Sequence, residues 1–346
     1  MCYTSNDVSQ VKGVPHRGNA LIKAKIVGLG AYVPTQILSN HDLEKMVDTS
    51  DAWITERTGI KARHIVAPEE ATSDLALHAS LKALAQSGIP GSAIDMIVVA
   101  TSTPDHILPP TACRLQEAIG AEKAGAFDVQ ATCSGFIYAL DLGAQFIETK
   151  RAKNVLVVGA DVMSRITNWK DRTTCILFGD GAGAAVLTSS TDGTGVQHTQ
   201  LRSDGTLFEQ LWVPAGGVRE PASQAAIDAG RTGIYMEGRK IFKHAVTRME
   251  EVILETLDEA GLTITDVDWL IPHQANYRIL TATAKQLGLP EEKVVINVER
   301  YGNTSAATIP IAWEEALADG RIQPGQTLVL VAFGGGLTWA ASVIRT

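Results

Sequence analysis

The chain has 346 residues, 45% hydrophobic and 20% charged, with a formal net charge of −8. That size and composition predict a globular protein with a large core, and the acidic balance argues against nucleic acid as a general partner. No apolar run reaches the ~20 residues that span a bilayer, which predicts no membrane partner, and the four cysteines (Cys2, Cys113, Cys133, Cys175) match neither a disulfide framework nor a zinc site.

In chain order, residues 1–22 are polar and irregular and lack the apolar core of a secretory signal. They read as a flexible extension before a first strand near Ile26, and the missing signal and few cysteines favour the cytoplasm. Apolar periodicity then predicts helices over 73–87, 110–119, 134–149, 240–260 and 305–318. Apolar runs predict strands over 96–101, 154–159, 184–187, 294–297 and 327–333. Strands alternating with amphipathic helices are the signature of α/β layering. Residues 190–233 are richer in Gly, Ser, Thr and Asp and read as a link between halves, with a surface excursion over 215–229.

Two stretches resemble each other about half a chain apart. Residues 87–99 and 260–272 each read as a helix end, a Gly turn, a short loop and a buried strand that follows an aspartate, Asp95 or Asp268. The same offset aligns 155–160 with 328–333 and brings Cys133 close to Asn303. This predicts an internal duplication, with halves at 23–195 and 196–346.

Cys133 stands where an apolar strand gives way to an apolar helix, in Ala131-Thr-Cys133-Ser-Gly. Near the first turn of a helix, backbone N–H groups and the macrodipole favour a thiolate, although most free cysteines are inert core residues. His273, in His273-Gln-Ala-Asn, ends a buried apolar run, the place where α/β folds carry functional groups. Asn303, in Gly302-Asn303-Thr-Ser, precedes a helix and by itself reads foremost as a helix cap. Phe333-Gly-Gly-Gly336 follows a strand, and its N–H groups are placed to bind an oxyanion. Gly179-Asp-Gly-Ala-Gly183 lacks the lysine of a P-loop and the spacing of a dinucleotide fingerprint, and reads as a tight turn feeding a strand.

Together these four motifs resemble the β-ketoacyl-acyl-carrier-protein synthase III family, condensing enzymes of the thiolase superfamily, from about Lys25 to Arg345. The resemblance implies a thiolase fold, α/β, with duplicated βαβαβαββ halves in five α-β-α-β-α layers, in a homodimer. It implies Cys133, His273 and Asn303 as catalytic triad, and N–H groups of Cys133 and Gly335 as oxyanion hole. The implied partners are acyl-CoA and malonyl-acyl-carrier protein. No cofactor and no metal are implied, CoA thioester being a substrate. Trp53, Arg57 and Arg172 match positions that bind CoA, and Arg278, Lys243, Arg239 and Lys240 lie at or beside positions linked to carrier docking. Read without the family, Trp53 is a core anchor and the basic residues are solvated charge. Leu108 stands where many acetyl-preferring relatives carry Phe, in a loop that resembles one reaching into the acyl pocket of the other subunit. Two rival readings keep the same residues: a family member that transfers acyl groups in secondary metabolism, and a degenerate acyl-binding scaffold.

Overall fold

The computed structural model describes residues 22–346, so the predicted extension, apart from its last residue, lies outside the described residues. Two sheets carry the fold. In the first, Lys23–Tyr32, Asp180–Ser190, Asn154–Val162, Met96–Ala100 and Gly125–Val129 lie side by side in that order. Met96–Ala100 runs parallel to both its neighbours, and the remaining pairings are antiparallel. In the second, Trp269–Pro272, Thr327–Gly334, Thr338–Arg345 and Gly195–Ser203 follow a similar succession from the other end, with one parallel pairing in place of two, then two antiparallel.

Side-chain alternation within single strands assigns the layers. Val155 and Val157 pack inward with Leu328 and Leu330 around the helices Gly135–Glu148 and Thr308–Ala318. Leu156 and Val158 face the other way, onto Thr72–Ser87 and Thr111–Ala118. Val329 and Val331 likewise face Gly238–Glu259 and Tyr277–Leu287. The order helix, sheet, helix pair, sheet, helix is the five-layer α-β-α-β-α arrangement. Strands this uniformly apolar, with every residue of Asn154–Val162 buried, require cover on both faces.

The two halves meet at their central turns. Short 3-10 turns, Thr132–Ser134 and Ser305–Ala307, each precede a central helix. Each holds one non-glycine residue in the left-handed region, Thr132 at φ 48 and Ser305 at φ 52. Such a conformation costs on the order of 1 kcal/mol and persists only where the surroundings over-determine it. One constraint is Gly159, where a Cβ would lie 2.4 Å from the Ala306 carbonyl oxygen. Buried Asp161 adds a second, accepting from the N–H of Ser102 at 2.7 Å and of Ala306 at 3.1 Å.

Three expectations change. Residues 294–297 form no strand; Val294 makes a single parallel bridge to Leu270. The link at 190–233 contains the strand Gly195–Ser203, masked in the sequence because most of its residues are only half-buried and polar. The excursion near 215–229 carries a short helix, Gln224–Asp228, beside an Arg231–Glu220 ion pair.

Candidate active site

Cys133 is the central residue of the turn Thr132–Ser134 and is buried. His273 directly follows Trp269–Pro272, and its N–H donates to the Val331 carbonyl at 2.7 Å. The Gln274 amide locks this corner, donating to the carbonyls of Pro272 and Val295 at 2.8 and 2.9 Å and accepting from the Asn297 N–H at 3.0 Å. Asn303 is clamped by its backbone: its N–H donates to the Leu177 carbonyl at 2.8 Å, and its own carbonyl accepts from Gly179 N–H at 3.0 Å. Asn303 Oδ1 accepts from the Ser305 N–H at 2.9 Å, which leaves the NH2 as the available end of the side chain.

Cys133, His273 and Asn303 line one cavity of about 570 Å³, with Phe333 beside them. Cys133 also lines a second cavity of about 440 Å³, with Ser305, Gly335, Met163 and Trp212. The sulfur-bearing turn therefore stands at the junction of two spaces, one toward the triad partners and one behind.

Burial dominates the electrostatics. It pushes the Cys133 thiol up to about 12; the neighbouring Ser305 hydroxyl opposes the rise and buried Asp161 adds to it. The sequence expectation of a stabilised resting thiolate is corrected accordingly: at this depth desolvation outweighs the turn's N–H groups and the resting group is a thiol. Burial also lowers His273 to about 3, so the imidazole is neutral at working pH. Its Nδ1 lies 2.7 Å from Thr308 Oγ1.

Two guanidinium groups lie over the Trp53 ring, Arg57 at 4.6 Å and Arg172 at 5.4 Å from its centroid. Trp53 and Arg57 line the triad cavity, as do Arg239 and Arg278. Arg172 donates to the Asp48 carbonyl at 2.9 Å and is not among the lining residues. Lys240 is paired with Glu237 at 2.5 Å, and Lys243 lies outside the lining. Leu108 is 79% exposed and lines none of the described cavities of its own chain. Gly335 accepts through its carbonyl from Thr132 Oγ1 at 3.0 Å, which ties the glycine run to the cysteine turn. Sequence reasoning did not reach Asp161, Ser305 or Thr308, ordinary polar letters whose role depends on what the fold sets beside them.

Residues 127–205 match the family described as 3-oxoacyl-[acyl-carrier-protein] synthase III, and 257–346 match its C-terminal part. A relative from Caldanaerobacter subterraneus subsp. tengcongensis, named beta-ketoacyl-[acyl-carrier-protein] synthase III, is 53% identical over 94% of this chain and 98% of its own length. The chain belongs to the β-ketoacyl-acyl-carrier-protein synthase III family.

A second synthase III, from Xanthomonas campestris pv. campestris, is 51% identical over 94% of the chain and 98% of its own length. The crystal structure of the synthase III from Aquifex aeolicus VF5 superposes with a TM-score of 0.87, at 46% identity, covering 93% of this chain and all of the other. The chain is therefore an enzyme, a transferase of fatty acid biosynthesis with the thiolase fold. Among the described residues no helix is long and apolar enough to cross a membrane, and no cluster of three or more His, Cys, Asp or Glu forms a metal site.

Proposed function

We propose that this synthase III carries out the initiating condensation of fatty acid synthesis through an acyl-Cys133 intermediate. The convergence of Cys133, His273 and Asn303 on one cavity, with the Asn303 NH2 left available, is the observation that carries the reading. In the first half-reaction the Cys133 sulfur attacks the thioester carbonyl of an acyl-CoA, and the proton it gives up to solvent is matched by the one the departing CoA sulfur takes up. The oxyanion is held by the N–H groups of Cys133 and Gly335 until the carbon–sulfur bond to CoA breaks and CoA leaves. In the second, malonyl-acyl-carrier protein loses CO2, and the electron pair of the broken bond becomes an enolate with its charge on the thioester oxygen. Asn303 NH2 and His273 Nε2–H donate to that oxygen, both without titrating. The enolate carbon attacks the acyl-Cys133 carbonyl, and the expelled sulfur recovers a proton. No cofactor enters, the CoA thioester being consumed as substrate.

The CoA adenine fits beside Trp53, Arg57 and Arg172, where ring and guanidinium planes already lie close together. Arg278 and Arg239 at the cavity mouth suit an acidic carrier protein, with Lys243 and Lys240 on the same helix, Gly238–Glu259, as Arg239. The reading takes the enzyme as a cytoplasmic homodimer in which Leu108 of the partner subunit closes the rear cavity. Residues 23–195 and 196–346 act as halves that each bring one strained turn to the site.

Intact mass after incubation with a panel of acyl-CoAs, followed by malonyl-acyl-carrier protein, tests the proposal. One acyl mass on Cys133, discharged as CO2 and a β-ketoacyl product form, is the expected result. An acyl group that loads and is not discharged by the malonyl carrier supports instead an acyltransferase of secondary metabolism. Absence of loading by every acyl-CoA overturns the role of Cys133 and leaves the scaffold reading.

A further inference from the structure

His273 has to present a hydrogen to the enolate oxygen, and a neutral imidazole carries only one. Which nitrogen holds it is set by the partner of the other nitrogen. That partner is Thr308 Oγ1, in the first turn of Thr308–Ala318, and both residues are buried.

The Thr308 hydroxyl has one proton and two acceptors in reach, His273 Nδ1 at 2.7 Å and the Ser305 carbonyl at 3.0 Å. Two observations decide between them. A separation of 2.7 Å is typical of a bond donated by a hydroxyl and short for one donated by a ring N–H, whereas 3.0 Å is the long limit for a hydroxyl on oxygen. In addition, the Ser305 carbonyl already accepts the backbone N–H of Thr308 inside the turn Ser305–Ala307. Turning the hydroxyl toward the ring therefore leaves no buried acceptor empty, and a buried acceptor left empty is the costly case.

We infer that Thr308 is a positioning residue that donates its hydroxyl hydrogen to His273 Nδ1 and thereby fixes the proton on Nε2, facing the reacting oxygen. The inference rests on the proposed role of His273 in the condensation. Its consequence is a division of labour. An imidazole already protonated on Nε2 has no lone pair to offer the Cys133 thiol, so His273 serves the second half-reaction and not the first. Ser305 connects the two enolate donors: its N–H holds Asn303 Oδ1, and its carbonyl accepts the Thr308 N–H in the turn that leads into the Thr308 helix.

The test has two arms. Nitrogen-15 NMR of histidine-labelled full-length enzyme reads the tautomer directly, with no substrate present. The expected signature is a protonated Nε2 and an unprotonated Nδ1 for His273, assigned by its loss in His273→Gln. The opposite tautomer overturns the inference, whatever the enzyme's activity. The second arm compares Thr308→Val, close in shape and lacking the hydroxyl, with Thr308→Ser, which keeps it. Decarboxylation of malonyl-acyl-carrier protein is expected to fall about ten- to a hundredfold in Thr308→Val, the range that loss of one buried hydrogen-bond partner implies. Acyl loading of Cys133 from acyl-CoA should stay within about twofold, and Thr308→Ser should restore decarboxylation. Equal loss in both half-reactions, or no loss in either, overturns the inference. If Thr308→Val does not fold, the tautomer measurement on the native enzyme decides alone. A protonated Nε2 in an enzyme that condenses nothing sinks the functional reading and leaves the Thr308 contact standing.

Discussion

Replacing Gly334 by alanine probes the contact between the glycine run and the nucleophile. A Cβ there would stand 2.3 Å from Thr132 Oγ1, 2.8 Å from Cys133 N and 3.1 Å from Cys133 Cβ. Ordinary carbon contacts begin near 3.4 Å, so the hydroxyl must retreat by about 1 Å and the Cys133 amide by about half that. Neither moves freely. The Thr132 hydroxyl is bonded to the Gly335 carbonyl at 3.0 Å, and Thr132 is already held at φ 48. A displacement of about 1 Å near the chemistry costs about a hundredfold in rate, or about 2.7 kcal/mol, and about half that shift at the Cys133 amide sets roughly tenfold to a hundredfold as the expected loss. Overpacking of this kind also lowers stability by about 1–3 kcal/mol. The assay is the rate of mass gain on Cys133 with acyl-CoA in excess, together with a denaturant midpoint. Gly217→Ala, where a Cβ meets nothing within 4 Å, is the control and should match the native enzyme in both. Native loading and an unchanged midpoint in Gly334→Ala would refute the argument that this glycine is there to let the two turns touch.

Alkylation of Cys133 by iodoacetamide should climb about tenfold per pH unit through pH 7 to 10, because a thiol pushed up to about 12 ionises only above that range. A plateau below pH 8 would show the thiolate already formed. His273, lowered to about 3 by burial, is neutral when folded and protonates near 6.5 when unfolded. The unfolded chain binds the extra proton first, so stability falls as pH drops below 6.5, by about 2 kcal/mol at pH 5. Urea unfolding of native enzyme and His273→Gln at pH 7 and 5 checks this; equal losses in both would remove His273 from the account. Arg278→Glu at the cavity mouth should raise KM for malonyl-acyl-carrier protein about tenfold and spare priming by acyl-CoA, since only the carrier is a large acidic partner. Equal effects on both substrates count against docking there.

Much of the architecture was legible because it is written in local pattern. Helices such as Thr72–Ser87 and Gly238–Glu259 fall within two residues of their predicted bounds, since amphipathic periodicity persists over several turns. The repeat was visible because both halves spell helix end, glycine turn and buried strand in the same order. Gly195–Ser203 was not legible: most of its side chains are half-buried on a strand at the sheet edge, and it carries no apolar run. Thr338–Arg345, which pairs with it, was also missed, hidden behind the glycine turn that precedes it.

The sequence by itself determined the layered α/β plan and the residue types at the site, because a strand's alternation, a helix's period and a motif's spacing are properties of neighbours in the chain. Charge state and proton placement were decided elsewhere. Burial raises the Cys133 thiol, with Ser305 opposing the rise and Asp161 adding to it, and the His273 ring meets Thr308, groups that are 172, 28 and 35 positions away in sequence. Desolvation and hydrogen bonding act through space over a few ångströms, so only the folded packing of the two halves could set them.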